Sequence, residues 1–96
     1  MGIGLKGASF RWTGERIIRR APQASGVYAI FSMDDWIYVG EAGNLRARLL
    51  AHFDGPNVCF KRNEPMGFQF ELVPAKQRAA RKNELIGELK PVCNRG

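Results

Sequence analysis

Two strand-like segments joined by a tight turn constrain the fold of this chain more than any other feature. The tripeptide Gly-Val-Tyr at 26–28 opens the first segment, and Tyr-Val-Gly at 38–40 closes the second. β-Branched and aromatic residues fill both segments, and Met-Asp-Asp at 33–35 between them is typical of a turn. The pattern predicts a β-hairpin with strands at 27–32 and 36–39.

The alternation of side chains along a strand predicts which hairpin residues share a face. Tyr28 and Ile30 fall on one face of the first strand, and Trp36 and Tyr38 on one face of the second. If the turn leaves the two strands in matched register, both tyrosines lie on the same side of the sheet.

Helix signals flank the hairpin. Thr13 is typical of an N-cap and predicts a short helix at 14–20. Asn44 is expected to cap a second helix at about 44–53. Within that helix, apolar residues recur at every fourth position and predict a buried stripe formed by Leu45, Leu49 and Phe53.

The second half of the chain predicts one more strand and one more helix. Phe and Leu alternate with polar residues over 68–73, as expected of a half-buried strand, and strong helix formers fill 75–89. Residues 54–67 are predicted to be a loop. The fold class is therefore α+β, with a three-stranded antiparallel or mixed sheet flanked by helices in the order β-β-α-β-α. Residues 1–24 are interpreted as an N-terminal extension and 25–96 as the domain itself.

Size and composition limit the classes of protein to which the chain can belong. Its 96 residues allow one domain, and a 45% hydrophobic content allows one modest core. There is no apolar run near the roughly 20 residues that span a bilayer, so we expect a cytoplasmic protein without a membrane partner. Two cysteines, Cys59 and Cys93, are too few for a disulfide framework, and we expect both to be reduced and partly buried.

The charge balance favours a polyanionic partner. Lys and Arg number 15 against 9 Asp and Glu, which gives a formal net charge of +6. Contacts between basic side chains and phosphates release counterions, so this excess is consistent with DNA binding. A solubilising surface is the ordinary alternative.

Arg48 and His52 lie four residues apart in the second helix, at the edge of its apolar stripe. In isolation such a pair is more often a solvated helix edge, and Tyr28 and Tyr38 are more often ordinary strand aromatics. The spacing of these residues alone therefore does not indicate a site.

The ordered motifs resemble the GIY-YIG nuclease family. The tripeptide at 26–28 matches the family's GIY, and that at 38–40 matches its YIG. The segment 38–49 is similar to the family's YIG strand running into an arginine-bearing helix. The segment 84–94 is similar to its last helix and its Lys-Pro-x-x-Asn ending. The resemblance covers residues 25–94.

This resemblance implies a catalytic set. The tyrosine matching Tyr28 takes part in activating the attacking water, and the one matching Tyr38 positions water or phosphate. The arginine matching Arg48 contacts the scissile phosphate, and a histidine matching His52 assists in some members. These types suit the chemistry, because a guanidinium binds phosphate oxygens bidentately and a phenol acts as a base only beside positive charge.

The resemblance also implies supporting residues and a metal. Gly40, Asn94 and Lys82 are expected to support the site. In the family, a glutamate on the last helix holds one divalent metal, and Mg²⁺ or Mn²⁺ is the cofactor expected if the chain is active.

The chain departs from the family at the metal-binding glutamate, whose place is taken by Lys82. Glu84 is two residues further on, so its side chain is rotated by about 200° around the helix and faces away. Glu41, just after the second tripeptide, is another candidate ligand, and no metal ligand is assigned. Loss or weakening of metal chemistry is the leading interpretation. Metal binding through another carboxylate and metal-poor cleavage helped by Lys82 are the alternatives.

The function expected from these observations is a GIY-YIG-type endonuclease domain acting on DNA phosphodiester bonds, impaired by Lys82. The alternatives are a catalytically inactive DNA-binding module and a protein-interaction domain that keeps the fold. Because the chain is short, we expect substrate choice to come from a partner protein or from residues 1–20.

Overall fold

A four-stranded antiparallel sheet carries the helices of this protein. The structure is a computed structural model and describes residues 8–94. In chain order the elements are β1 (Phe10–Arg11), α1 (Gly14–Arg20), β2 (Gly26–Phe31), β3 (Trp36–Ala42), α2 (Leu45–Asp54), α3 (Val58–Asn63), β4 (Gly67–Leu72) and α4 (Ala75–Leu89). The predicted α+β class is confirmed.

The strand order is β1-β4-β2-β3, which places β3 at one edge of the sheet. The predicted hairpin and third strand are present, but the count of three strands is wrong because β1 adds a fourth. β1 has only two residues, with Phe10 opposite Phe68 and Arg11 opposite Gly67. A strand of that length has no alternation to detect, and its pairing partner is remote in sequence.

The sheet separates two layers of core. On one face, Ile17 of α1 and Leu45 and Leu49 of α2 pack with Tyr28 and other strand residues. On the other face, α4 contributes Leu85, which packs with the inward-facing valines and alanine of the hairpin. The alternation of side chains in β2 and β3 thus supplies apolar groups to both layers.

The hairpin register places the two tyrosines on one face. Tyr28 pairs with Gly40, and Ile30 pairs with Tyr38. The predicted common face for the tyrosines is therefore confirmed. The register then shifts, so that Trp36 pairs with Phe31 and joins the α4 layer. The prediction that Trp36 shares the face of Tyr38 is wrong, because this irregularity adds a residue between them.

The predicted helix caps are present. The Thr13 hydroxyl accepts a hydrogen bond from the Arg16 amide at 3.1 Å, and the Asn44 side chain accepts one from the Ala47 amide at 3.0 Å. The predicted stripe of α2 is correct for its two leucines but not for Phe53, which is 40% exposed. Phe53 lies in the last turn of α2, where its ring packs edge-on against Trp12.

The segment predicted as a loop at 54–67 contains α3. The Asn57 side chain accepts a hydrogen bond from the Phe60 amide at 3.1 Å, and Phe60 is buried. A six-residue helix is too short to be stable through local interactions, so its position depends on this buried contact. Periodicity over so few residues does not reveal such a helix.

The chain after α4 runs along the edge strand β3. The Val92 amide donates to the Trp36 carbonyl at 3.0 Å, and the Cys93 amide donates to the Ile37 carbonyl at 2.7 Å. Cys93 is joined to Cys59 by a disulfide, with the Cα atoms 6.0 Å apart. The expectation of reduced cysteines is wrong for this structure, because the fold brings the two side chains within bonding range.

Residues on both sides of the predicted boundary at residue 24 contribute to the same sheet and core. The boundary itself stays a prediction, and residues 1–7 of the predicted extension lie outside the described residues. Between residues 8 and 94, no helix is both long and apolar enough to cross a bilayer.

The core position of Leu85 predicts a large effect of truncation. Leu85 is 0% exposed, whereas Leu72 is 61% exposed. We expect Leu85→Ala to lower the free energy of unfolding by about 2–5 kcal/mol, because it leaves a cavity between α4 and the sheet. The matched variant Leu72→Ala should change it by less than about 0.5 kcal/mol. Urea denaturation of both variants measures the difference, and equal losses would contradict this core assignment.

Candidate functional site

A hydrogen bond between Tyr28 and His52 lies at the centre of the candidate site. The Tyr28 hydroxyl, from β2, is 2.7 Å from Nε2 of His52, which comes from α2. Tyr28 is 0% exposed and His52 is half-buried. The hairpin register fixes the position of Tyr28, and the packing of one face of α2 on the sheet fixes the position of His52. The two side chains therefore meet below the surface.

Tyr38 and Phe60 complete an aromatic wall around the imidazole. The Tyr38 ring centroid is 5.1 Å from that of His52 and 6.1 Å from that of Tyr28. Phe60 of α3 stacks on His52, with a centroid distance of 5.0 Å and an interplanar angle of 26°, and lies 5.5 Å from Tyr38. Sequence analysis missed Phe60 because its segment was assigned to a loop.

Gly40 is the partner of Tyr28 across the hairpin and makes room for its ring. A β-carbon at residue 40 would lie 2.5 Å from Cζ of Tyr28 and 2.9 Å from Cε2 of Tyr38. Such approaches are far inside van der Waals contact, so the close packing of the two phenols requires glycine here. This gives a physical reason for the glycine of the second tripeptide.

Arg48 of α2 lies close to both members of the Tyr28–His52 pair. Its side chain is exposed, and Nη1 donates to the Glu41 carbonyl at 3.4 Å. The guanidinium is also near enough to act electrostatically on both Tyr28 and His52. The structure therefore brings together all four residues that the sequence placed in one site: Tyr28, Tyr38, Arg48 and His52.

The environment sets the protonation of the central pair. Burial, followed by the neighbouring Tyr38, raises the pKa of Tyr28 well above its ordinary value, against the smaller opposing effect of Arg48. Burial, followed by the Arg48 charge, lowers the pKa of His52. At neutral pH the phenol is therefore protonated and the imidazole is neutral. In that state the imidazole tautomer sets the direction of the bond: the Tyr28 hydroxyl donates to Nε2 of His52 when the ring proton is on Nδ1, and accepts from Nε2 when the proton is there.

Asn94 fixes the edge strand beside these groups. Its side-chain oxygen accepts from the Val39 amide at 2.7 Å, and its side-chain nitrogen donates to the Val39 carbonyl at 2.8 Å. Val39 lies between Tyr38 and Gly40, so this two-point contact holds the backbone that carries both. The geometry gives Asn94 a supporting position.

Lys82 belongs to a charge network on the α4 side of the same edge. Its ammonium lies 3.6 Å from the Glu41 carboxylate, which also accepts a hydrogen bond from Nε of Arg78 at 3.2 Å. Arg78 also donates to the hydroxyl of Ser25 at 3.1 Å. The Glu41 carboxylate therefore lies between two cations. The Glu41 backbone carbonyl accepts a hydrogen bond from Arg48.

Glu84 belongs to a different cluster. It is paired with Arg81, which in turn binds Glu71 at 2.9 Å. The predicted rotation of Glu84 away from Lys82 agrees with these partners.

These donors do not fit a divalent cation. Among residues 8–94, no group of three or more His, Cys, Asp or Glu side chains is arranged to hold one. The carboxylate of Glu41 already faces Lys82 and Arg78, and bringing a divalent ion to it would add a third positive group. The ammonium of Lys82 repels a metal and does not ligate one. We therefore assign no metal ligand.

With this geometry established, comparison with known proteins identifies the architecture. The magnesium-bound GIY-YIG N-terminal endonuclease domain of UvrC from Thermotoga maritima superposes with a TM-score of 0.72 at 24% identity, covering 84% of this chain and 93% of that one. A point variant of that domain, also bound to its catalytic divalent cation, gives a TM-score of 0.72 at 23% identity with the same coverage. The chain has the GIY-YIG fold. The resemblance stated from the motifs is thereby confirmed at the level of the fold.

One curated relative is similar to this chain in sequence. UvrABC system protein C of Xylella fastidiosa (strain 9a5c) is 30% identical over 100 aligned residues, which cover 86% of this chain. The chain spans 16% of the length of that relative. No protein-family profile matches the chain.

The tight contact at Gly40 predicts a local effect of a single methyl group. We expect Gly40→Ala to lower the free energy of unfolding by about 1–3 kcal/mol, because Tyr28 and Tyr38 must move to accommodate it. The control Gly87→Ala adds a methyl group with nothing within 4 Å, inside a helix. It should raise the free energy of unfolding by about 0.5–1 kcal/mol. Thermal and urea unfolding measure both, and an unperturbed Gly40→Ala protein would refute the packing described.

The lowered pKa of His52 predicts a titration below the ordinary value of about 6.5. Because the unfolded chain then binds more protons than the folded one, the His52 contribution to stability is present above that pH and is lost as pH falls through the folded-state pKa. Proton NMR of the imidazole measures the midpoint. Arg48→Met should raise it, whereas Lys76→Met, on α4 at the opposite face of the sheet, should not. A midpoint above the ordinary value would contradict the burial of this imidazole.

Proposed function

We propose that this chain is a GIY-YIG-type endonuclease domain that acts on DNA phosphodiester bonds. The observation that carries the proposal is the hydrogen-bonded Tyr28–His52 pair, 2.7 Å apart, with the Arg48 guanidinium near enough to act electrostatically on both groups. The fold neighbours described above are endonuclease domains, and the sequence relative is UvrC. Both support a nucleolytic role.

The phosphate is held first by Arg48. Its guanidinium is exposed and has several donors, which suit bidentate binding to the non-bridging oxygens of a phosphodiester. The net charge of +6 adds a general attraction to a polyanion.

The Tyr28–His52 pair then provides a route for the proton of the attacking water. As the water oxygen bonds to phosphorus, its proton passes to the Tyr28 oxygen, and the original phenolic proton passes to Nε2 of His52, whose ring proton is then on Nδ1. The bond from phosphorus to one deoxyribose oxygen breaks, and that oxygen leaves and takes a proton from solvent. The neutral imidazole is the terminal base, so Tyr28 need not ionise in spite of its raised pKa. Tyr38, half-buried beside both groups, would orient the water or the phosphate.

The metal requirement is where this chain differs from its fold neighbours. When bound in such a site, a divalent cation such as Mg²⁺ or Mn²⁺ supplies Lewis-acid charge to the phosphate. Here Lys82 and Glu41 form an ion pair on the α4 side of the edge, and the donor set does not fit the cation. We therefore propose that metal-dependent cleavage by the natural sequence is weak.

A second candidate is a DNA-binding module that does not cut. The observation that favours it is the Glu41 carboxylate, which is neutralised from two sides by Arg78 and Lys82. Such a module would keep the Arg48 phosphate contact without supplying a metal site.

A plasmid-nicking assay with Mg²⁺ and Mn²⁺, combined with calorimetric Mn²⁺ binding, tests both candidates. We expect weak nicking by the natural sequence and at least about tenfold more with Lys82→Glu, because that change removes a cation and sets a second carboxylate beside Glu41. Lys82→Glu should also bind Mn²⁺ measurably. Lys76→Glu makes the same charge change at an exposed position of α4 and should do neither.

The assay separates the candidates by its failures. Salt-sensitive DNA affinity that is lost in Arg48→Ala, with no nicking by any variant, would establish the binding module. Absence of DNA binding at low salt would overturn both candidates and leave a protein-interaction domain.

A further inference from the structure

The disulfide between Cys59 and Cys93 joins α3 to the segment after α4. Both of these segments contact the candidate site. Phe60 follows Cys59 in α3, and Asn94 follows Cys93 in the segment after α4. Each of these neighbours makes a direct contact with the site. A single covalent bond thus links two independent supports.

The first support is the Phe60 ring. It is 4% exposed and stacks on His52 while also touching Tyr38. Its helix has six residues, so local hydrogen bonds alone do not fix its position. Two contacts restrain this helix, namely the packing of Phe60 and the disulfide from Cys59 to Cys93.

The second support is the Asn94 side chain. It binds both backbone groups of Val39, and the Cys93 amide binds the Ile37 carbonyl. These residues follow the end of α4, where Lys90 has a left-handed conformation with φ of 51°. The bond at Cys93 therefore anchors the segment that holds the edge strand next to Tyr38.

We propose that the Cys59–Cys93 bond is a redox-dependent clamp that positions His52 and Tyr38 through Phe60 and Asn94. In the oxidised form both supports are held against the site. In the reduced form, α3 and the segment after α4 separate more readily, and the imidazole becomes more hydrated. Regulation of DNA cleavage by this clamp rests on the proposed function, but the clamp itself does not.

The chemistry is thiol–disulfide exchange with a low-molecular-weight disulfide of the glutathione type. The thiolate of one cysteine attacks that disulfide and releases one thiol, giving a mixed disulfide. The second cysteine thiolate attacks the mixed disulfide, forms the Cys59–Cys93 bond and releases a second thiol. Two electrons pass from the protein to the small disulfide, which is reduced to two thiols. Both cysteines are half-buried, and the Asn63 amide lies 3.7 and 3.8 Å from the two sulfurs, where it can donate to a thiolate.

The test compares the protein equilibrated with oxidised glutathione with the protein reduced by a phosphine, using a thiol count to define each state. Proton NMR gives the pKa of His52, and amide hydrogen exchange gives the protection of Val39. We expect reduction to raise the His52 pKa towards its ordinary value and to speed exchange at Val39 by at least about tenfold. The Ala29 amide, in the central part of the sheet, should be unaffected. The charged and titratable groups facing His52 from β2, β3 and α2 are Tyr28, Tyr38 and Arg48, and reduction alters none of them chemically.

Variants separate positioning from general stability. The double variant Cys59→Ser/Cys93→Ser should match the reduced protein under both redox conditions. Leu85→Ala lowers stability without touching either support, so it should leave the His52 pKa unchanged. Asn94→Ala should speed exchange at Val39 even in the oxidised protein, which isolates that support.

Three results would overturn the clamp. One is retention of two free thiols after exposure to oxidised glutathione, another is an identical His52 titration and Val39 exchange in both redox states, and the third is a His52 shift of equal size in Leu85→Ala. None of these readings requires DNA. A protein that shows the clamp but neither binds nor cuts DNA would refute the proposed function and leave the clamp intact.

Discussion

The packing of Tyr28 against Gly40 across the hairpin is the constraint on which the rest of the site depends. The register that pairs these two residues places Tyr38 on the same face, and the missing β-carbon at residue 40 allows the two phenols to approach. The helix α2 follows directly from β3, so its third turn brings His52 over the Tyr28 hydroxyl. A shift of one residue in the register would place Tyr38 on the opposite face of the sheet and separate it from Tyr28 and His52.

Charged side chains from α2 and α4 lie beside the edge strand β3. On the helix α2 side, Arg48 presents an exposed guanidinium. On the α4 side, Lys82 and Arg78 enclose the Glu41 carboxylate. Glu41 of the strand and Lys82 of the helix form an ion pair within the protein, at the helix position where the resemblance implies a metal-binding glutamate. The consequence is that three cationic side chains, Arg48, Arg78 and Lys82, lie beside Glu41 of the edge strand.

The local features of the fold could be predicted from the sequence. Features that depend on contacts between distant segments could not. The N-caps at Thr13 and Asn44 and the common face of the two tyrosines follow from side-chain chemistry and strand alternation, and the structure agrees. β1 and α3 were missed because each is too short for periodicity and owes its existence to tertiary pairing. Phe60 was missed with α3, and the expectation of reduced cysteines failed because a separation of 34 residues says nothing about proximity.

By itself, the sequence determined the hairpin, the two long helices and the ordered motifs, because propensity, capping and alternation act over a few residues. It also placed a lysine where the resemblance implies a glutamate. Only the tertiary structure decided which distant residues are in contact. Lys82 pairs with Glu41, and Phe60 stacks on His52. The Asn94 side chain hydrogen-bonds to the backbone of Val39. Those contacts join segments far apart in the chain, and they arise from how helices and the final segment pack on both faces and the edge of one small sheet.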